Sequence, residues 1–273
     1  MPLVDVNDIK IYYEIHGEGE PVILHHGYGA TAKIWIGQIG ELSKHFKAIT
    51  LDCRSSGRSD HPTEPYTLDT LVEDLKGLMD ALNIQKTHLI GQSMGGWISQ
   101  NFVLKYPERV NKLVLIGTNY TGAGIQFMKN AMINNYELQK KDKLQAYWNY
   151  AKLTHYRQYI KEMQADLKKK FYGLWSAEDL INELTENHMT PQDYELLAKA
   201  IEKHDVTDRL SEIKAPTLLI ASSHDKLSPK SVMEEIHQGI PNSRLEIIDK
   251  TAHHVFLEAA PQVNQLIIDF LKS

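Results

Sequence analysis

Cysteine is almost absent from this sequence, and so are the common metal and nucleotide motifs. Cys53 is the only cysteine among 273 residues, which excludes an intrachain disulfide framework and a cysteine-rich zinc site and fits a reducing compartment. There is no His-Glu-x-x-His pattern and no P-loop, and the glycine pairs at 17/19 and 122/124 lack the third glycine of a dinucleotide site. We therefore expect no metal ion and no bound cofactor.

Long apolar runs and an excess of positive charge are also missing. No stretch approaches the roughly 18–20 apolar residues of a membrane helix, and the first residues show no basic start followed by an apolar segment. Acidic residues outnumber basic ones by 35 to 30, so the composition does not indicate a nucleic-acid surface. We expect a cytoplasmic protein that binds neither nucleic acid nor membrane, and the oligomeric state is open, with a homodimer as one option.

The apolar segments are short and follow the pattern of a parallel sheet. Residues 9–15 alternate as Ile-Lys-Ile-Tyr-Tyr-Glu-Ile, which is typical of a half-buried strand. Further short apolar runs lie at 21–25, 48–51, 87–90, 113–116, 217–221 and 245–248. Helical patterns separate several of them, such as residues 67–82 with leucines at helical spacing. The alternation predicts an α/β protein with a mostly parallel sheet flanked by helices.

The middle of the chain has a different texture. Residues 120–205 lose the strand pattern, are rich in Lys, Glu, Tyr and Leu, and indicate several helices. The strand pattern resumes after residue 206, and a last helical pattern covers residues 261–271. We therefore predict one core made of residues 1–119 and 206–273, with residues 120–205 inserted as a helical lid.

A serine follows one of the predicted strands on a glycine-rich turn. The run Gly91-Gln92-Ser93-Met94-Gly95 matches Gly-x-Ser-x-Gly and lies between a strand pattern and a helical pattern. A sharp strand-to-helix turn exposes the central side chain above the sheet, and the beginning of the helix adds free amides and a positive dipole end. Ser93 is therefore the candidate nucleophile, and the Met94 amide is a candidate to stabilise an oxyanion.

A serine nucleophile needs a base and a group that orients the base. Asp225 follows one of the later predicted strands, and His253 and His254 follow the next. These positions lie just past the carboxyl ends of strands, where α/β sheets bind ligands. The order serine, acid, histidine is also the order expected for this kind of turn. The pattern predicts a catalytic triad of Ser93, Asp225 and a histidine.

Together these motifs resemble the α/β-hydrolase-fold family of cofactor-free esterases, lactonases, haloperoxidase-like enzymes and C–C bond hydrolases. The resemblance covers about residues 10–119 and 206–271. The segments that carry it are residues 26–29 (His-Gly-Tyr-Gly), 52–59, 91–96 and 216–225, and Ala252-His253 with Glu258 and Pro261. It implies the α/β-hydrolase fold, with residues 120–205 resembling the family's lid.

The resemblance also orders the candidates for base and acid. The family has a glutamate five residues after its catalytic histidine, which fits His253 with Glu258 and disfavours His254. Asp249 lies nearer the strand end than the family's acid does, so Asp225 is preferred. Ser55, Ser222 and Ala252 stand where the family usually has glycine.

An oxyanion site and a substrate pocket are implied as well. The backbone amide of Tyr28, the residue after His-Gly, would join that of Met94. Trp97 is expected to pack beneath the turn. The lid would supply aromatic residues to the pocket wall, for which the candidates are Tyr120, Phe127, Trp148 and Trp175. Loop-bracing roles are expected for His26, Asp52 and Arg54.

The sequence therefore predicts a serine hydrolase that cleaves a small to medium carboxylic ester or lactone through an acyl-enzyme. Two alternatives use the same triad, namely hydrolysis of a C–C bond in a keto acid and cofactor-free haloperoxidase-like activity. A third is a ligand-binding receptor that retains the triad. Ser93 argues against the aspartate nucleophile of dehalogenases and epoxide hydrolases, and Cys53 lies on a different loop from the nucleophile turn.

Overall fold

The structure, a computed structural model, describes residues 2–186 and 189–273 and is built around one central sheet. The strands are β1 (Leu3–Val6), β2 (Ile9–His16), β3 (Pro21–His25), β4 (Lys47–Leu51), β5 (Thr87–Gln92), β6 (Val110–Ile116), β7 (Thr217–Ser222) and β8 (Ser243–Ile248). Within the described residues they form an eight-stranded sheet in the order β1-β2-β4-β3-β5-β6-β7-β8. β1 and β2 pair antiparallel, β2 pairs antiparallel with β4, and all other pairings are parallel.

The apolar strand pattern is explained by burial on both faces of the sheet. β5 and β7 are buried along their whole length, and β3 is buried apart from its first residue. A sheet with a helical layer on each side has no polar face, so its strands show continuous rather than alternating apolar residues. The predicted mostly parallel α/β fold is confirmed; β1, which carries Asp5 between valines, was not predicted.

Helices follow most of the strands. They are α1 (Ile39–Leu42), α2 (Leu68–Ala81), α3 (Met94–Lys105), α4 (Ile125–Gln139), α5 (Lys143–Thr154), α6 (Arg157–Ala165), α7 (Ala177–Glu186), α8 (Pro191–Ile201), α9 (Lys230–Gly239), α10 (Val255–Glu258) and α11 (Ala260–Lys272). Short 3-10 helices lie at Ala32–Gly37, Pro107–Arg109 and Thr207–Glu212. α2 begins where the sequence pattern placed it, because Thr67 and Thr70 form a capping box.

The chain between β6 and β7 is helical, although these two strands are direct neighbours in the sheet. We call residues 120–205 the helical segment; its described helices are α4 to α8. Hydrogen bonds at several points hold it to the rest of the fold. The Tyr28 hydroxyl donates to the carbonyl of Tyr194 (2.7 Å), the Trp175 indole donates to the carbonyl of Leu257 (2.9 Å), and Glu183 accepts from Thr31.

The residues singled out from the sequence lie on loops at one edge of the sheet. Tyr28 follows β3, Ser93 follows β5, Asp225 follows β7 and His253 follows β8. Since β3, β5, β6, β7 and β8 are parallel neighbours, their carboxyl ends meet at the same edge. In residues 2–186 and 189–273 no helix has both the length and the apolar content needed to cross a membrane.

Candidate active site

Ser93 lies on a strained turn between β5 and α3. Its backbone has φ 52° and ψ -118°, in the left-handed half of the map that non-glycine residues seldom adopt. The close approach of strand and helix explains the flanking glycines. A Cβ on Gly95 would collide with the carbonyl oxygen of His25, and one on Gly91 would collide with that of Gly95. The turn is held by a hydrogen bond from the Ser93 amide to the carbonyl of Ile116 (3.0 Å).

His253 is hydrogen-bonded to Asp225 and both side chains are buried. His253 Nδ1 lies 2.8 Å from Asp225 Oδ2, and the other carboxylate oxygen accepts from the amides of Leu227 (2.8 Å) and Ser228 (2.9 Å). An ionised carboxylate only accepts hydrogen bonds, so the proton of a neutral His253 belongs on Nδ1. Its Nε2 is then unprotonated, as a general base requires.

Two further contacts fix the loop that carries His253. The Ser222 hydroxyl donates to the carbonyl of Ala252, which joins the end of β7 to this loop. The Ala252 amide donates to Glu258 Oε2 (2.6 Å), whose carboxylate is fully buried. Serine at position 222 therefore supplies a hydrogen bond that the glycine usual in the family lacks.

Ser93 and His253 share the wall of a cavity of about 360 Å³. Most of its wall is apolar or aromatic, contributed by Ala30, Met94, Trp97, Ala123, Ile125, Phe127, Met128, Leu153 and Leu227 among others. The polar lining residues are fewer and include Gln92, Asn119, Tyr150, Lys226 and His254. A mostly apolar cavity with a few convergent polar groups is typical of a small-molecule site.

Two backbone amides beside Ser93 have no acceptor within the described chain, those of Tyr28 and Met94. Both residues line the cavity. The loop of Tyr28 is held by its hydroxyl on Tyr194 and by His26, whose Nδ1 lies 2.8 Å from the Gly27 carbonyl while its Nε2 accepts from the Cys53 amide (3.1 Å). The expected bracing role of His26 agrees with these contacts.

Four aromatic residues were predicted for the pocket wall, and of these Phe127 lines the cavity. The Tyr120 hydroxyl bonds Glu235, and Trp148 packs edge-on against Tyr147. Trp175 is completely buried and stacks on Phe171 with ring centroids 4.5 Å apart. These last three are absent from the wall of this cavity, because their side chains are occupied in packing and hydrogen bonding elsewhere.

Trp97 and Tyr150 belong to the wall although the sequence did not indicate it. Trp97 was expected beneath the turn, but its ring stacks on His204 (5.3 Å between centroids) and also borders the cavity. Its position four residues after Ser93, one helical turn along α3, was a usable signal. Tyr150 lies in α5, and nothing local marks it among the tyrosines of the helical segment.

The alternative candidates for base, acid and nucleophile make other contacts. His254 Nδ1 lies 3.2 Å from His155 rather than on Asp225, and Asp249 is exposed and accepts from the Ser223 hydroxyl (2.9 Å). Cys53 is buried on the loop after β4, where burial raises the pKa of its thiol to about 12. A thiol with so high a pKa is a poor nucleophile near neutral pH.

Asp52 and Arg54 serve the loop after β4. Asp52 is fully buried and accepts from the amides of Ala32 (2.7 Å) and Arg58 (2.9 Å). The buried Arg54 guanidinium pairs with Asp74 (2.7 Å). Neither residue lines the cavity. Over the described residues, no group of three or more His, Cys, Asp or Glu side chains is arranged to hold a metal ion.

Glu183 joins the helical segment to the loop beside the cavity. Its Oε1 accepts from the amide (2.9 Å) and hydroxyl (3.0 Å) of Thr31. Burial raises the pKa of Glu183 to about 7, and the nearby Asp52 adds to the rise against the opposing hydrogen bonds from Thr31. The folded protein therefore holds a proton on this carboxyl at pH values where the unfolded chain has released it.

We expect Glu183 to contribute stability that is lost between pH 4.5 and about 7. Over this range the folded protein holds a proton on Glu183 that the unfolded chain has released, so this group lowers the free energy of unfolding as pH rises, by up to roughly 3 kcal/mol. Buried histidines such as His25, His204 and His254, whose pKa values burial lowers, act in the opposite direction, so the quantity to measure is the difference between variants. Urea unfolding at several pH values measures it. Relative to the wild type, Glu183→Gln should gain stability as pH rises through this range, whereas Glu178→Gln on the same helix, exposed in the fold, should follow the wild type. An equal pH dependence in all three proteins would contradict the assignment.

The comparisons with known proteins agree with this fold. A family profile described as alpha/beta hydrolase fold matches residues 20–260. The chain belongs to this α/β-hydrolase family, which supports a hydrolytic enzyme. A 2-hydroxy-6-oxo-6-phenylhexa-2,4-dienoate hydrolase of Comamonas testosteroni is 31% identical over 98% of this chain and 93% of that protein.

Two solved structures illustrate the range of chemistry on this fold. The enol-lactonase from Burkholderia xenovorans LB400 superposes with a TM-score of 0.85 at 23% identity and covers 100% of both chains. A bromoperoxidase from Bacillus anthracis superposes with a TM-score of 0.83 at 26% identity, over 100% of this chain and 99% of that one. The predicted family membership is confirmed by the profile match, while the similar proteins are named for different activities.

Proposed function

We propose that this protein is a serine hydrolase that cleaves a small to medium carboxylic ester or lactone, with Ser93, His253 and Asp225 as its triad. The observation that carries the proposal is the shared cavity. It brings together a serine on a strained turn, a histidine oriented by a buried carboxylate, and two unpaired backbone amides. No other cavity described contains this set of groups.

The chemistry follows from these positions. His253 Nε2 takes the proton of the Ser93 hydroxyl as its oxygen attacks the carbonyl carbon. The negative oxygen of the tetrahedral intermediate is stabilised by the amides of Tyr28 and Met94. His253 then protonates the leaving alcohol, and a water activated by the same nitrogen releases the acid from Ser93. Asp225 stabilises the imidazolium formed in both steps and holds the ring in place.

The helical segment would act as a lid that defines the substrate. It contributes Phe127, Met128, Tyr150 and Leu153 to the wall of the cavity that contains Ser93. A volume of about 360 Å³ is at the small end of ligand sites. This favours compact acyl groups or small lactones over long chains.

A series of p-nitrophenyl esters tests this proposal. We expect kcat/KM to be highest for acyl chains of about two to eight carbons and to fall by roughly tenfold or more for palmitate, because a cavity of about 360 Å³ does not accommodate the longer chain. Small lactones such as δ-valerolactone, followed by acid release, extend the series. Activity that rises steadily with chain length would contradict a compact acyl site.

Hydrolysis of a C–C bond is the second candidate, favoured by the Comamonas relative at 31% identity. A dienoate substrate carries a carboxylate, and the exposed Lys226 at the cavity wall is a charged group that could pair with it. Incubation with 2-hydroxy-6-oxo-6-phenylhexa-2,4-dienoate, followed by loss of the dienoate absorbance, tests this directly. Turnover of the dienoate above that of every ester would favour this candidate.

A further inference from the structure

A line of hydrogen bonds connects the cavity to a buried carboxylate. The Tyr150 hydroxyl lies 3.4 Å from His254 Nε2, His254 Nδ1 lies 3.2 Å from His155 Nε2, and His155 Nδ1 lies 3.2 Å from Glu258 Oε1. Tyr150 and His254 line the cavity, and His155 and Glu258 do not. All four residues are buried. We call this line the relay.

The carboxylate determines where each proton of the relay lies. Glu258 accepts from two donors that cannot reverse, the amides of Ala252 and Tyr156 (2.6 Å each). It accepts from His155 as well, which places the proton of that ring on Nδ1 and leaves Nε2 as an acceptor. His155 Nε2 in turn accepts from His254 Nδ1. The unprotonated Nε2 of His254 is therefore directed at the Tyr150 hydroxyl.

Both groups at the cavity end are neutral. Burial lowers the pKa of His254 well below its usual value, and the neighbouring His155 and His253 lower it further. Burial raises the pKa of the Tyr150 hydroxyl. The tyrosine thus keeps its proton and donates it to His254, so the cavity meets the lone pairs of the Tyr150 oxygen.

Tyr147 shows what a purely structural tyrosine looks like on the same helix. It is 1% exposed, its hydroxyl contacts Met163 Sδ (3.4 Å), and it does not line the cavity. Tyr150 differs in reaching the cavity that contains Ser93. Its hydroxyl has one hydrogen-bond partner among the described residues, at a long distance, and retains capacity for a ligand.

We infer that the Tyr150 oxygen, oriented by His254, forms a hydrogen-bond-accepting subsite that selects substrates carrying a hydroxyl or N–H group away from the scissile carbonyl. This rests on the proposed hydrolase function and names the class of substrate. A ketone at the same place would face the lone pairs of the Tyr150 oxygen and leave them unpaired. A hydroxyl satisfies them, and one such hydrogen bond is worth roughly fivefold to tenfold in kcat/KM.

Matched ester pairs test the subsite. Methyl hexanoates with a hydroxyl on C2, C3 or C5 are each compared with the corresponding ketone, and the readout is the hydroxyl-to-ketone ratio of kcat/KM. We expect a ratio of about tenfold at one carbon in the wild type, reduced to within about twofold by Tyr150→Phe. The matched control Tyr147→Phe should keep the wild-type ratio. A wild-type ratio near one at all three carbons, or a ratio that survives Tyr150→Phe, would overturn the inference.

Nitrogen NMR of histidine-labelled wild-type protein tests the proton positions without any substitution in the relay. We expect His254 Nε2 to be unprotonated and Nδ1 protonated.

The variant His155→Phe removes the acceptor of His254 Nδ1 while keeping an aromatic ring against Trp175. Without this acceptor the proton of His254 is no longer fixed on Nδ1, and the hydroxyl-to-ketone ratio of kcat/KM should fall. An Nε2-protonated His254 in the wild type would contradict the relay.

A binding measurement separates this inference from the proposed function. Calorimetric titration of the same ester pairs into Ser93→Ala protein needs no turnover. Tighter binding of one hydroxyl ester than of its ketone, lost in Ser93→Ala/Tyr150→Phe, supports the subsite even if no ester is hydrolysed. Equal binding of both members at every carbon overturns it, whatever the activity of the wild type.

Discussion

Replacing Ser93 with alanine is expected to lower kcat toward p-nitrophenyl butyrate by about 10⁵-fold. In the proposed mechanism the substitution removes the atom that would form the acyl-enzyme, and neither His253 nor the amides of Tyr28 and Met94 would replace it. Substrate binding should change little, because the hydroxyl contributes little to the apolar wall. Initial rates over a range of substrate concentrations measure kcat and KM.

Ser99→Ala is the matched control for this prediction. Ser99 lies on the same helix, is fully buried, donates to the carbonyl of Gly95 (2.6 Å) and does not line the cavity. Its loss should leave kcat within about twofold, since a single internal hydrogen bond of this kind affects stability more than chemistry. A fluorophosphonate should label the wild type and Ser99→Ala at Ser93, and should not label Ser93→Ala.

The same experiment separates the enzyme from a binding protein with an unused triad. If the wild type is folded and its ester turnover equals that of Ser93→Ala, the hydrolase proposal fails and the receptor alternative gains support. If ester turnover is equal but the dienoate is consumed only by the wild type, the C–C candidate replaces it. The outcomes are distinguished by which substrate is consumed and by which protein consumes it, so the wild type and Ser93→Ala are sufficient to separate them.

Local sequence patterns were sufficient for the sheet and for the nucleophile turn. Buried parallel strands have few choices of composition, so the runs at β3, β5 and β7 stand out from the helices around them. The turn at Ser93 has one local cause, because a Cβ on Gly91 would collide with the carbonyl of Gly95, whereas Gly95 is required by the carbonyl of His25 at the end of β3. Antiparallel β1, with four residues and one buried side chain, carries no such signal.

Contacts between distant parts of the chain were beyond these patterns. The relay joins His155 to Glu258 across 103 positions, and the tether of Tyr28 to Tyr194 spans 166. Helix amphipathicity tells which side of a helix is buried, but it does not tell whether that side meets a core or a cavity. Trp175 and Tyr150 are both buried aromatic residues of the helical segment, and only their tertiary neighbours distinguish packing from cavity wall.

Replacing Asp225 with asparagine is expected to lower kcat by about 10⁴-fold while the fold is retained. The new amide side chain can keep the hydrogen bonds from the amides of Leu227 and Ser228 only by directing its carbonyl oxygen toward them. Its amino group then faces His253 Nδ1 and donates to it, so the ring proton moves to Nε2. In that tautomer Nε2 cannot accept the proton of Ser93, although every heavy atom is close to its original position.

Asp249→Asn is the matched control, because Asp249 is the alternative acid that the sequence offers for the triad. It is exposed, it bonds Ser223 rather than a histidine, and its substitution should change kcat by less than about twofold. Thermal unfolding of both variants confirms that they are folded. A large loss of kcat in Asp249→Asn with a small loss in Asp225→Asn would identify Asp249, rather than Asp225, as the acid of the triad. Equal and small losses would mean that His253 needs no carboxylate partner, which is incompatible with a base whose tautomer depends on the 2.8 Å hydrogen bond to Asp225.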